Sequence, residues 1–207
     1  MAGVEEAVAA LRAGKPVVLP TDTVYGLAVT AYHEEPFRRL LLLKGKPEGS
    51  PTALVTADLD LLLECVPELR GRAATIARAL LPGPYTLVLP NPARRFRWLT
   101  GANPEAIGVR VPVLPPEAAE IVRRVGAVAA TSANLHGGRD PRLLADVPEE
   151  VRSACGAVVD AGELPGVPST VLDFTGPEPR VIREGAAPAA AAIERALATL
   201  APGRGRR

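Results

Sequence analysis

The stretch PVVLPTDTVYGLAVT, Pro16 to Thr30, sets two apolar runs on either side of a cluster of small polar groups, Thr21, Asp22 and Thr23. Apolar runs of about four to eight residues bounded by Pro read as buried strands, which predicts strands at Pro16–Leu19 and Val24–Thr30. The hydroxyl-rich turn leaves the carboxyl end of the first strand, and in open α/β sheets that is the edge where ligands bind. Thr21 and Asp22 also suit an ordinary turn or helix cap. Asp22 is read here as that turn former, its carboxylate ordering the loop.

Outward from this stretch the pattern alternates between helix and strand. Val4–Ala13 has helical spacing and ends at Gly14, and Glu34–Leu43 reads as a helix that delivers Lys44 at its end. Further helices are predicted at Leu69–Leu80, Pro116–Val125, Val147–Ala154 and Pro188–Leu200. Asp146, with Glu149 three residues on, resembles a capping box for the Val147–Ala154 helix. Strands are predicted at Thr52–Thr56, Thr86–Leu89, Ile107–Val111, Ala127–Ala130, Ala157–Val159, Thr170–Phe174 and Arg180–Arg183. This alternation implies an α/β domain, with a mixed sheet favoured over a parallel one because several connections are short.

The 207 residues fit one domain, and 47% hydrophobic content supplies a core. We divide the chain at 1–186, a catalytic domain, and 187–207, a C-terminal helix with a basic tail whose Gly203–Arg207 end reads as solvated. A formal net charge of +1 demands neither nucleic acid nor a membrane surface, so any basic site is local. Cys65 and Cys155 show no CxxC spacing, no signal segment is apparent, and no apolar run reaches the roughly 18 residues of a membrane span. A cytoplasmic, membrane-free location is expected. Only three of the 24 basic residues are lysines, and two of them, Lys44 and Lys46, fall in KGKP. That concentration marks them for specific work.

The chemistry-bearing feature is a repeated one: strand ends carrying small hydroxyls, an Asn or a cation. It occurs at Thr21–Tyr25, Lys44 and Lys46, Pro82–Thr86, Arg110, Thr131–Asn134, Pro168–Thr170 and Arg183. If these ends converge they form a cleft for a polyanion such as a triphosphate, where positioning and charge neutralisation do most of the work. Neither GKP segment is a Walker A loop, and no GxGxxG opens a βαβ unit. His33 and His136 have no metal-ligand spacing, so no metal site is expected on the protein. Ser132 or Ser169 with His136 would make a hydrolase pair, but GxSxG is absent.

In order along the chain, PTDTVYGL, KGKP, PGPYTLVL, GVRVP, TSAN and PSTVLD resemble the YrdC-type threonylcarbamoyl-AMP synthases, also known through the YciO and YwlC names, in their short single-domain form. The resemblance runs from about Val4 to Gly185. It implies a YrdC-like twisted mixed sheet flanked by helices with a basic concave cleft. It also implies a nucleotidyltransferase that makes threonylcarbamoyl-AMP and pyrophosphate from ATP, L-threonine and bicarbonate, with Mg2+ accompanying the ATP. The product would feed a downstream tRNA threonylcarbamoyl transferase complex, with a tRNA or double-stranded RNA contact also implied.

By the same resemblance Lys44 and Lys46 are the catalytic and triphosphate-binding pair, and Thr86, Ser132, Asn134 and Arg183 further ATP contacts. Arg110 looks like the partner of the threonine carboxylate, with Thr23, Tyr25 and Ser169 lining the amino-acid pocket. Lys46 stands where the family usually has Arg, no His follows near Leu54–Thr56, and SANLHGG replaces the common SANxSG. Each residue has an alternative: Arg110 pairing with an acid, Ser132 capping, Tyr25 an aromatic of the interior, Thr86 a strand former. The alternative for the whole chain is a diverged paralogue that binds RNA or nucleotide without catalysis. The 3% aromatic content leaves few stacking platforms for bases.

Overall fold

The computed structural model describes residues 3–200, so the Gly203–Arg207 tail lies outside the described residues. Nine strands form one mixed sheet: β1 (Val17–Pro20), β2 (Tyr25–Thr30), β3 (Ala53–Thr56), β4 (Tyr85–Pro90), β5 (Ala106–Arg110), β6 (Ala127–Ser132), β7 (Ala157–Val158), β8 (Thr170–Asp173) and β9 (Arg180–Arg183). Their order is β7-β1-β2-β6-β3-β5-β4-β8-β9. β1–β2 and β4–β5 pair antiparallel, whereas β3–β5 and β4–β8 pair parallel. The helices are α1 (Val4–Arg12), α2 (Glu34–Leu43), α3 (Leu59–Cys65), α4 (Gly71–Leu80), α5 (Pro116–Val125), α6 (Glu149–Ala154) and α7 (Ala189–Leu200).

The strand period of two sorts side chains between two unequal layers. Val18, Leu27, Val29, Leu54, Leu87, Leu89, Ile107, Val109 and Ala129 face the larger core with residues of α2, α3, α4 and α7. Val17, Leu19, Ala28, Val55 and Val128 face the smaller core under α1 and α5. That second helical layer covers one half of its sheet face. Over β4 and β5 the strands alternate between buried and half-buried residues, and the half-buried set on this face, Thr86 and Val88 on one strand and Ala106, Gly108 and Arg110 on the other, is the floor of a cleft.

The structure corrects the sequence reading in three places. Leu59–Cys65 is a helix capped by Asp58, whose carboxylate accepts from the Leu61 amide at 2.8 Å. Its seven residues are too short for a periodic signal. Helix α4 starts at Gly71, two residues later than the Leu69 expected, because Leu69 is buried in a preceding turn. Asp146 does not cap the following helix: its carboxylate turns back to accept from the Arg142 and Leu143 amides at 3.1 and 2.9 Å, and the N-cap position is Pro148. Helix α7 buries Ala189, Ala192 and Ala196 in the larger core. No helix among the described residues is long and apolar enough to cross a membrane.

Candidate active-site cleft

Each functional side chain is placed by a local device. Helix α2 ends in a left-handed glycine, Gly45 at φ 64°, with the Lys46 amide donating to Leu41 and the Gly45 amide to Leu42. This is a Schellman ending, which needs the conformation glycine adopts without steric cost. It places Lys44 and Lys46 on either side of a sharp reversal at the cleft. The Lys44 ammonium is buried and donates to the carbonyl oxygens of Ser132 and Asn134 and, at 2.8 Å, to Asn134 Oδ1. Its three protons thus meet three acceptors. Burial first, then the charge of Lys46, pulls Lys44 down to about 8, with Asp140 opposing. Burial and Arg183 pull Lys46 down as well.

The β1–β2 turn is folded by Thr21, whose hydroxyl accepts from the Thr23 and Val24 amides at 3.2 and 3.3 Å and donates to the Val24 carbonyl at 2.7 Å. That turn aims Asp22 and Thr23 at Arg110, whose Nη2 donates to Asp22 Oδ1 at 2.5 Å and Thr23 Oγ1 at 2.6 Å. Arg110 Nε is buried without a partner. Burial pulls the guanidinium down and Asp22 pushes it back. Across the floor, Thr86 Oγ1 lies 2.9 Å from Ser169 Oγ, and Arg183 donates through Nε and Nη2 to the Ser169 carbonyl at 3.1 and 2.7 Å. Gly185 permits this approach: a Cβ there would stand 2.3 Å from the Pro168 carbonyl oxygen.

The cleft has a volume of about 440 Å³ and brings Lys46, Thr86, Arg110, Ser132, Ser169 and Arg183 to its walls. Thr23, Lys44 and Asn134 stand one contact behind that wall, on Arg110 and Ser132. Tyr25, expected at the amino-acid pocket, is fully buried instead, and the cleft lining does not include it. Its hydroxyl lies 2.6 Å from Asp160 Oδ1 and 2.7 Å from the Gly162 carbonyl and accepts from the Ala161 amide at 3.0 Å. Burial first, then Asp160, raises it to about 12.

The sequence reading missed Asp140, Asp160 and the Asp173–Arg180 pair at the cleft rim. Asp140 and Asp160 are single acids in Pro- and Gly-rich turns and Asp173 ends β8, and none carries a local signal of what it faces. Among the described residues no cluster of three His, Cys, Asp or Glu side chains stands ready for a metal ion. Asp173 is the one carboxylate in the cleft lining among the described residues, so a magnesium ion there would take most of its oxygen ligands from a bound phosphate.

The Sua5/YciO/YrdC profile, described as "Telomere recombination", matches residues 9–185. The chain belongs to the Sua5/YciO/YrdC family. Within it, the chain is 34% identical to the threonylcarbamoyl-AMP synthase of Pyrococcus abyssi over 86% of its own length and 52% of that relative's. It is 33% identical to a putative threonylcarbamoyl-AMP synthase of Mycobacterium tuberculosis, covering 88% of this chain and 84% of that one. The family fold is also seen in P. abyssi Sua5 complexed with L-threonine, at a TM-score of 0.84 and 32% identity over 93% of this chain and 56% of that one. The chain therefore spans about half the length of the Pyrococcus relative.

Proposed function

We propose that this Sua5/YciO/YrdC chain is an L-threonylcarbamoyladenylate synthase. The observation that carries the reading is Arg110, a largely buried guanidinium on the wall of the cleft, in a fold shared with a protein solved with L-threonine. A guanidinium fork suits a carboxylate, and Asp22 and Thr23 engage only Nη2 of the fork.

In this reading threonine's carboxylate docks on Arg110. Its amine attacks carbon dioxide derived from bicarbonate, forming the N–C bond of a carbamate and releasing a proton. A carbamate oxygen then attacks the α-phosphorus of ATP, and the bond to the β-phosphate oxygen breaks, so pyrophosphate leaves with its electron pair. No protein nucleophile is required. Lys44, Lys46 and Arg183 offset the triphosphate charge, and Thr86, Ser132, Asn134 and Ser169 orient the reactants. Magnesium carried on the phosphates would add charge neutralisation, with Asp173 the carboxylate that lines the cleft. The adenylate would pass to a tRNA-modifying transferase in the cytoplasm.

A non-catalytic RNA-binding role is less well supported. Arg110 and Arg180 are each tied to an aspartate at the cleft, which leaves a compact anion site instead of an extended basic track. The test is pyrophosphate release, with mass detection of the adenylate, from ATP, magnesium, bicarbonate and L-threonine, omitting each in turn. Release that requires threonine and bicarbonate together and falls in K44A supports the synthase. ATP or RNA binding without threonine-dependent release supports the paralogue.

A further inference from the structure

Arg110 stands on β5, and the Asp22 and Thr23 groups it binds sit in the turn just before β2. In the sheet, β6 and β3 lie between those two strands. The arginine therefore reaches over them, and their cleft face forms the floor beside the guanidinium. That floor is aliphatic: Val55 and Ala53 on β3 and Ala130 on β6, with Val24 at its edge. Val55, only 5% exposed, is the ladder partner of Arg110. The nearby hydroxyls are spent locally, Thr21 on the Val24 carbonyl and Thr23 on Arg110 and Thr21. On the opposite flank Thr86 and Ser169 pair with each other beside Arg183.

An amino acid whose carboxylate meets Arg110 has two flanks for its side chain. The flank with Arg183 carries a cation and hydroxyls and suits phosphate, whereas the flank with Val55 offers methyl surface and no side-chain donor or acceptor. Against such a wall a hydroxyl gains nothing over a methyl, but a branch at Cβ gains contact area. Resting on the reading of Arg110 as the carboxylate contact, we propose that Val55 determines the amino-acid preference of this cleft, which selects a β-branched side chain by shape and accepts L-valine alongside L-threonine. The chemistry uses only the α-amine. It forms an N–C bond to carbon dioxide with loss of a proton, and a carbamate oxygen then bonds to the α-phosphorus of ATP as pyrophosphate leaves with the electron pair of the broken P–O bond.

The experiment measures kcat/KM for pyrophosphate release, with mass detection of the adenylate formed, from L-threonine, L-valine and L-serine in the presence of ATP, magnesium and bicarbonate. It compares the 207-residue wild type with V55T. The wild type is expected to use valine within about tenfold of threonine, and serine, which lacks the methyl branch, at least about tenfold less well. V55T keeps the shape and adds a hydroxyl, so the threonine-to-valine ratio should rise about tenfold. A wild type that rejects valine by more than about tenfold, as a site built to hydrogen-bond the hydroxyl does, overturns the proposal. Serine used as well as threonine overturns selection by shape, and an unchanged ratio in active V55T overturns the role of Val55. An inactive V55T leaves the wild-type ratios to decide. Release with none of the three amino acids overturns the synthase reading, and the side-chain preference with it.

Discussion

Arg110 Nη2 lies 2.5 Å from Asp22 Oδ1, joining residues 88 apart in sequence, and each side chain is only 12% exposed. Asp22 Oδ2 also accepts from the Val113 amide at 3.1 Å, so the carboxylate fixes both the arginine and the chain beyond it. Asp22 is thus more than a turn former: it sets the position of the group that the proposed reaction needs for threonine.

Breaking that pair is expected to leave a buried, uncompensated guanidinium. D22A should lose about 2–4 kcal/mol in urea unfolding, because removing one partner strands the other. R110K keeps the charge but not the fork, and its threonine KM is expected to rise about tenfold with ATP KM little changed. Equal changes in both KM values would argue against a threonine-specific role.

The buried Lys44 gives two opposite pH dependences. Its folded value, about 8, lies below the ordinary 10.5, so the fold prefers the neutral amine. That contribution to stability is fully present above 10.5 and is lost as pH falls through about 8. A polyanion needs the ammonium, so ATP affinity should be level below pH 8 and fall by up to about tenfold per unit above it. Titration calorimetry from pH 7 to 10 should show the break, and K44R should move it upward because the guanidinium stays charged. An ATP affinity that is flat to pH 10 in the wild type would falsify this assignment.

Tyr25 anchors the loop that leads toward Ser169. Y25F removes a hydroxyl with three polar neighbours and should cost about 1–3 kcal/mol, with Asp160 and the Ala161 amide losing a partner. D160N keeps an acceptor and should cost less. Chemical denaturation of the two variants checks the order, and a Y25F protein as stable as wild type would show that water replaces the hydroxyl at no cost.

The close approach at Gly185 predicts a sharper effect. A Cβ there meets the Pro168 carbonyl at 2.3 Å and the Ser169 carbonyl at 2.7 Å, so the backbone must shift. G185A is expected to lose about 2–4 kcal/mol and to weaken ATP binding through displaced Arg183. A G185A protein with unchanged melting and unchanged ATP affinity would show that the loop relaxes freely.

Much of the architecture was legible in the sequence, because apolar period and Pro/Gly punctuation are local properties. Glu34–Leu43, Pro116–Val125 and Arg180–Arg183 fall at the predicted bounds. The ordered motifs also pointed to the family, and Lys46, Thr86, Arg110, Ser132, Ser169 and Arg183 from them line one cleft. Pairings over long sequence separations were not legible, since they depend on strand order. Nothing near Tyr25 announces that Asp160 will take its hydroxyl, and nothing near Asp140 announces Asn134 and Lys44.

The sequence by itself determined which segments become strands and helices, where the chain reverses after Lys44, and that cations and hydroxyls gather at strand ends. Those outcomes rest on side-chain period and on backbone preferences such as the left-handed Gly45. Only the tertiary structure decided that Arg110 is held by Asp22 and that Tyr25 serves the core. It also decided that Lys44 is buried against three carbonyl oxygens. These follow from which strands lie side by side and from the desolvation that packing imposes, and both are properties of the assembled sheet.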